Sequence, residues 1–427
     1  MPVNSRRDYQ SAIETLNSFQ TKAQGNVSGD SDKLTEMRKY LHRCGITLEK
    51  LDELSVIHVT GTHGKGSTCA YCECILRNHG YRTGFYSSPH LLEVRERIRI
   101  DGKPLSKDKF AQHFWDVYDM LNDQKEYEND MPVYFRFLTT LAFYIFLKSG
   151  IDVAIIEVGI GGEFDCTNVI RKTVAAGITP ISIDHTALLG TTVESIAWHK
   201  GGIMKEGSAV FSVEQSENIL NVLLDRSKER KCSFKMLKEN LYVLDNGSKI
   251  PPHVKKTNAS LALALSEAYM ERNCNDETGS KFSFELAARS IEKTSWPGRY
   301  EIKHIKNIRF FLDGAHTVGS IKTCSNWFKD ETSTSNRTKA LIFNLTGPRN
   351  PENFLNELAI CDFDVAIFIP NVGYEKETAD TANFKLTTDT QLERCQGYKE
   401  KWLELEGNSH RKSAEVFASF AQALEQH

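Results

Sequence analysis

The spacing of apolar positions sorts the chain into helices and strands. Tyr9, Ile13, Leu16 and Phe19 fall on one face of a helix starting near Arg7, and Leu34, Met37, Leu41 and Cys44 step around a second that Gly45 ends. Val56, Ile57 and Val59 form a short β-branched run, the signature of a buried strand, and a helical stretch over 69–78 follows. Residues 82–87 read as another strand, 94–100 as a strand ending in an Asp101-Gly102 turn, and 105–122 and 133–149 as helices joined by the acidic loop QKEYEND. In DVAIIEVGIGG, residues 152–162, the run Ala154, Ile155, Ile156 and Val158 predicts a strand buried on both faces, as in a parallel sheet. The apolar run 174–183 predicts a further strand, 193–200 a helix and 209–213 a strand.

Residues 214–295 mix helices with polar, Lys-rich turns, and Asn258 reads as the N-cap of one helix. Trp296-Pro297-Gly298-Arg299 then breaks the pattern, which places a domain boundary there: 1–297 and 298–427. The alternation restarts beyond it, with strands at 300–304, 308–313, 339–345 and 364–369 and helices at 317–330 and 351–360. The tail after 371 is polar, with an amphipathic helix expected at 412–425. The fold class is therefore α/β: a larger domain with a mainly parallel sheet and a smaller α/β domain. Two domains also suit 427 residues, because single cores stop growing near ~250–300 residues.

A 40% hydrophobic, 26% charged composition is that of ordinary packed domains. A net charge of −3 without a long basic block argues against nucleic acid as a partner. The ten cysteines are scattered, which fits a reducing compartment; Cys69, Cys72 and Cys74 lie in the helix after the first strand, with no second cluster to complete a metal site. No apolar run approaches the ~18 residues of a membrane span. The first residues lack the apolar core of a signal peptide and carry Asp8 and Glu14, unlike a mitochondrial presequence, so a cytoplasmic protein is expected.

The chemistry centres on SVIHVTGTHGKGST, residues 55–68. Strand, glycine-rich turn and helix start make an anion site: Gly61, Gly64 and Gly66 let backbone N–H groups face phosphate oxygens, and the helix dipole favours the charge. Lys65 adds a cation, and a Ser67 or Thr68 hydroxyl can help hold a metal. The spacing departs from the common G-x-x-x-x-G-K-[ST] loop, since position 59 is Val and Gly66 separates Lys65 from Ser67. Glu157 stands inside an otherwise apolar strand, where a carboxylate needs a cation or a hydrogen-bond network. Asp184-His185 ends the next apolar run, and Asp313-Gly-Ala-His316 ends a strand of the smaller domain. Strand tips that gather a phosphate loop, a carboxylate and a hydroxyl point to ATP with Mg²⁺, and a second domain suggests closure over a second substrate.

The strings GTHGKGST (61–68), GFYSSPHLLEVRERIRI (84–100), YFRFLT (134–139), EVGIGGEFDCTNVI (157–170), IDHTALLG (183–190), IAWHKGGI (196–203), WPGR (296–299) and LDGAHT (312–317) together resemble the eukaryotic folylpolyglutamate synthases, of the Mur ligase superfamily. The resemblance implies a Mur-ligase-type P-loop ATPase domain followed by a Rossmann-like domain. The implied reaction ligates L-glutamate to the γ-carboxyl of a tetrahydrofolate or its polyglutamates through an acyl phosphate, giving ADP and phosphate. By the same resemblance Gly64, Lys65, Gly66 and Ser67 cradle the ATP phosphates, and Ser88, Glu157 and His185 hold Mg²⁺. Lys200 matches a lysine that becomes carbamylated. Asn258, Arg299 and Asp313 contact the nucleotide, His316 lies near the transferred phosphoryl group, and Ser87, His90, Tyr134, Arg136 and Phe137 line the folate site. A monovalent cation such as K⁺ is a further candidate cofactor, the expected state is a monomer, and a mitochondrial form is expected for other isoforms.

Two departures stand out. His63 occupies a position where many relatives carry Lys. Relatives also close with an apolar strand, a Thr-Gly-Ser-type turn and a helix, which the sequence up to His427 does not display, so the smaller domain is expected to lack its last strand. Two other readings compete: a dihydrofolate synthase, with the same chemistry on dihydropteroate, and a nucleotide-binding regulatory relative without catalysis.

Overall fold

The computed structural model describes residues 6–21, 30–238, 252–273, 281–345, 349–371, 380, 388–405 and 413–426. The chain divides into two compact units, one reaching Trp296 and the other running from Pro297. In the larger unit the strands are β1 (Val56–Thr60), β2 (Thr83–Tyr86), β3 (Ile98–Ile100), β4 (Lys103–Pro104), β5 (Val153–Glu157), β6 (Ala175–Ile178), β7 (Ala209–Ser212) and β8 (Ser233–Met236). They form one sheet in the order β4-β3-β2-β5-β1-β6-β7-β8. Pairing is parallel from β2 to β8, and β3 and β4 add an antiparallel edge.

Both faces of this sheet are covered, which is why β1 and β5 read as unbroken apolar runs. On one side the helix Lys65–Asn78 packs against the helices Pro252–Asn273 and Phe284–Lys293, with Ile57, Val59, Phe85 and Ile155 beneath them. On the other, the helices Val193–Gly201 and Glu217–Glu229 cover Ala176, Ile178 and Val210. The parallel order sets the tips of β2, β5 and β1 side by side, and Val59 is in register with Glu157.

The N-terminal helix Tyr9–Thr21 lies against the helices Lys107–Asp123 and Tyr134–Ser149, where Phe19, Phe114 and Phe137 stack together. The acidic loop is bound through Asp130 to the helix Asp30–Arg43. Its buried carboxylate takes Lys39 Nζ at 2.8 Å and Arg43 Nη2 at 2.6 Å, and the two cations with the Glu126 N–H hold it down to a pKa of about 2 against the penalty of burial. Breaking a buried pair on one side strands the other charge, so Asp130→Ala is expected to destabilise the larger unit by ~3–5 kcal/mol. Because the folded pKa lies below the unfolded one, this stabilisation is present above the ordinary carboxylate pKa of about 3.9 and is lost as pH falls through about 2. Thermal unfolding of variant and native protein at neutral pH and in acid checks this; a difference that persists undiminished in acid contradicts it.

In the smaller unit β9 (Glu301–Ile305) and β10 (Ile308–Leu312) form a hairpin. Separately, β11 (Ala340–Phe343), β12 (Val365–Phe368) and β13 (Ser413–Val416) form a parallel sheet in that order. Its core gathers Phe343, Leu355, Phe368, Tyr398 and Trp402.

Several expectations are corrected. Asn258 sits inside the helix Pro252–Asn273 and does not cap it. Residues 94–97 form a 3₁₀ turn, leaving only Ile98–Ile100 as strand. β6 stops at Ile178, so Asp184 and His185 lie beyond the strand in a loop. The polar tail contains a helix, Thr388–Leu405, whose Cys395, Tyr398 and Trp402 are buried. Ser413–Val416, read as helix, is instead a strand parallel to β12, followed by the helix Phe420–Gln426. The rest of the tail's expected structure falls outside the described residues.

Candidate functional site

The helix Lys65–Asn78 begins on Gly64, which has φ +81° and no side-chain cap. A left-handed N-cap without a side chain leaves the first-turn N–H groups facing an incoming anion. A Cβ at Gly64 would collide with the Asn258 side-chain oxygen, so the nearly buried Asn258 closes directly over the loop. The turn is fastened from the β6 side: the amides of Thr62 and His63 donate to the Pro180 carbonyl, and His63 Nε2 lies 2.8 Å from Ser182 Oγ.

Two amines converge on one backbone oxygen. Lys65 Nζ donates to the Gly61 carbonyl at 3.0 Å and to Thr62 O at 3.4 Å. Lys200 Nζ, on the helix Val193–Gly201, donates to the same Gly61 carbonyl at 2.7 Å. Lys200 is only 4% exposed. Burial, reinforced by the neighbouring Lys65 charge, depresses its pKa far below the ordinary lysine value, against weaker pull from Asp184 and Asp165. It is a group poised to be a neutral amine.

Glu157 closes the other side of the loop. It is nearly buried, and its Oε2 accepts the Ser88 N–H at 3.0 Å. A Cβ at Gly66 would stand 3.4 Å from both carboxylate oxygens and 3.2 Å from Trp296 Nε1, so the glycine lies directly against Glu157 and Trp296. The carboxylate and the serine hydroxyl offer oxygen donors that suit a hard divalent ion, whereas an imidazole is a softer donor. His185 sits at φ +51° with Nε2 3.6 Å from Asp184 Oδ2. Among the described residues no group of three His, Cys, Asp or Glu side chains is arranged for a metal; the expected set relies on the Ser88 hydroxyl.

The folate candidates divide. Ser87 is buried at the end of β2, and its N–H donates to Arg97 O. His90 Nδ1 accepts from Arg97 Nε, and Tyr134 lies under the Arg97 guanidinium. Arg136 is engaged with Glu36. Phe137 is fully buried between Phe19 and Phe114, so it is a core residue with no surface to offer a ligand, which corrects its assignment to the site. Its neighbour Phe135 instead lies against Tyr86 and Gly159, and the Asp165 carboxylate also reaches Gly159. Asp165, a buried carboxyl whose pKa burial raises, was not singled out by the sequence reading, and neither was Trp296 except as a boundary.

In the smaller unit three of the expected residues come together. Asp313 accepts the Tyr300 N–H at 2.8 Å, and burial raises its pKa despite that bond and Arg299. Arg299 Nη1 donates to Gly298 O and packs on Gly314. His316 Nδ1 lies 2.8 Å from Gly314 O.

No family profile matches the chain. Over 95% of its length it is 41% identical to the human protein "Folylpolyglutamate synthase, mitochondrial", of which the match covers 75%. It is 40% identical to the folylpolyglutamate synthase of Neurospora crassa over 87% of this chain and 76% of that one. Its structure superposes with a TM-score of 0.76 on a Mycobacterium tuberculosis folylpolyglutamate synthase complexed with ADP and AMPPCP, at 24% identity over 98% of this chain and 91% of that one, a likeness of fold.

Proposed function

This chain belongs to the folylpolyglutamate synthase family, and we propose that its larger unit activates the γ-carboxyl of a folate's terminal glutamate with ATP for attack by L-glutamate. It is a ligase of ATP-dependent folate polyglutamylation. The observation that carries the assignment of residues is the convergence of the Lys65 and Lys200 amines on Gly61 O beside the buried Glu157 carboxylate.

A carboxylate is a poor acylating agent. Transfer of the ATP γ-phosphoryl group onto it forms an acyl phosphate, and glutamate's amine then displaces phosphate through a tetrahedral intermediate. In this reading the first-turn amides at Gly64–Ser67 and the Lys65 amine hold the outer phosphates, where charge builds in the transition state. Ser88, Glu157 and His185 are the residues that would hold Mg²⁺. When bound, the ion would draw electron density from the phosphoryl oxygens. Asn258, closed over Gly64, is taken to border the nucleotide, and Arg299, Asp313 and His316 of the smaller unit are its further candidate contacts. Nucleotide affinity of alanine variants at these four positions tests that part.

Lys200 is read as the carbamylated position. Its neutral amine takes up CO₂ and releases one proton, which converts the uncharged amine into an anionic carbamate beside the phosphate loop. Activity is expected to rise with added bicarbonate after CO₂ depletion, and ¹³C-labelled bicarbonate to give a carbamate signal that Lys200→Met removes. A depleted enzyme of full activity with no signal contradicts this.

The decisive experiment is mass spectrometry of tetrahydrofolate incubated with ATP, Mg²⁺ and glutamate. Successive additions of one glutamate residue, with ADP formed in step, support the ligase. Addition to dihydropteroate alone indicates the synthase of dihydrofolate, and nucleotide binding without product indicates a regulatory relative. No helix among the described residues is long and apolar enough to cross a membrane. A monomer in the cytoplasm completes the proposal, testable by light scattering and cell fractionation.

A further inference from the structure

Arg97 closes the 3₁₀ turn Val94–Arg97 and leads directly into β3. Its residue is only 9% exposed. Its Nε donates to His90 Nδ1 at 2.9 Å, and its guanidinium carbon stands 5.5 Å from the centre of the Tyr134 ring. Other arginines with buried side chains in this unit have carboxylates: Arg43 has Asp130 and Arg226 has Glu163. Among the described residues Arg97 has neither a carboxylate partner nor a hydrogen bond from its two terminal nitrogens, and those nitrogens are not sealed from solvent.

A nearly buried arginine without a counter-charge, whose two terminal nitrogens remain open to solvent, is arranged so that an incoming anion can complete it. The terminal nitrogens form a planar fork that fits a carboxylate with two parallel hydrogen bonds. The place is also specific. Ser87 N–H donates to Arg97 O, and the next amide, Ser88 N–H, donates to Glu157, so the main chain of Arg97 is one residue removed from the carboxylate beside the phosphate loop.

We propose that Arg97 binds the α-carboxylate of the acceptor's terminal glutamate. This deepens, and rests on, the ligase reading. The γ-carboxylate must be left to accept the phosphoryl group. A clamp on the α-carboxylate fixes the residue without taking electron density from the reacting oxygen. A bound fork therefore selects acceptors that already end in an amino acid with a free α-carboxylate over those that end in the reacting carboxylate alone.

The test is equilibrium binding of tetrahydrofolate, and of its α-carboxamide, to native protein, Arg97→Met and Arg97→Lys. Affinity for a non-hydrolysable ATP analogue reports whether each variant is folded. A hydrogen-bonded charge contributes ~1.5–3 kcal/mol, so Arg97→Met is expected to weaken tetrahydrofolate about 10- to 150-fold. Arg97→Lys, which keeps the charge but loses the fork, is expected to fall in between. The α-carboxamide should bind native protein weakly and lose nothing further in either variant, while the ATP analogue binds all three alike. If both folates weaken equally, Arg97 is merely structural and the proposal fails; it also fails if tetrahydrofolate affinity is unchanged. Should Arg97→Met not fold, the same comparison in Arg97→Lys decides. Native protein that binds through Arg97 yet adds no glutamate in the mass-spectrometric assay overturns the ligase reading separately.

Discussion

Replacing Lys65 by alanine is expected to lower turnover ~10²–10³-fold, the usual consequence of losing one charge-stabilising donor at ~3–4 kcal/mol. The lysine sits at the first position of its helix, and among the described residues its amine bonds the carbonyls of Gly61 and Thr62 in its own loop. Its side chain is only half-buried, so the fold is expected to survive. A second effect accompanies the first. Lys65 is one cause of the depressed pKa of Lys200, so its removal raises that pKa and leaves less neutral amine at a given pH. The activity that remains is therefore expected to need higher pH or more bicarbonate than the native enzyme. Steady-state kinetics at saturating ATP across pH measures both; a Lys65→Ala enzyme of near-normal turnover refutes the role.

Glu157→Gln is the second large effect. The amide keeps an oxygen for the Ser88 N–H but removes the charge that a hard cation requires. Changes to groups that only support metal ligands cost ~10–100-fold in affinity or activity, so loss of a direct carboxylate is expected to cost at least ~10²-fold at limiting Mg²⁺. Titrating Mg²⁺ against turnover should show half-saturation moved upward, with part of the rate recovered at high concentration. A curve that coincides with the native one removes Glu157 from the metal site. The same change lifts the penalty of burying a carboxylate, so thermal stability is expected to stay level or rise as activity falls.

Much of this was readable from local pattern. The phosphate loop, β5 and the strands β11 and β12 of the smaller unit declare themselves through glycine spacing and apolar runs, because there burial and backbone geometry dictate the residue type. What failed was decided by tertiary contact. Phe137 looks like its neighbours in YFRF, yet the helical turn points it into the aromatic cluster and leaves Phe135 toward Gly159. The helix Thr388–Leu405 has a polar composition, and only packing against β12 reveals Tyr398 and Trp402 as core. Asn258 has the chemistry of a cap, but its helix begins earlier and its amide serves the phosphate loop instead. The role of Arg97 could not be seen at all, since the sequence cannot say which of several neighbouring arginines has lost its counter-ion.

The pair of amides at Ser87 and Ser88 has a consequence for how such a molecule can change. In extended chain successive N–H groups point to opposite sides, so one peptide step separates the grip on Arg97 from the grip on Glu157. The distance between these two anchor points is thus graduated in whole residues, like the teeth of a rack. Adding or deleting a single residue before Ser87 would swap the two grips rather than lengthen or shorten the gap. Lineages that accommodate bulkier acceptors would have to do so by altering side chains on a fixed rail.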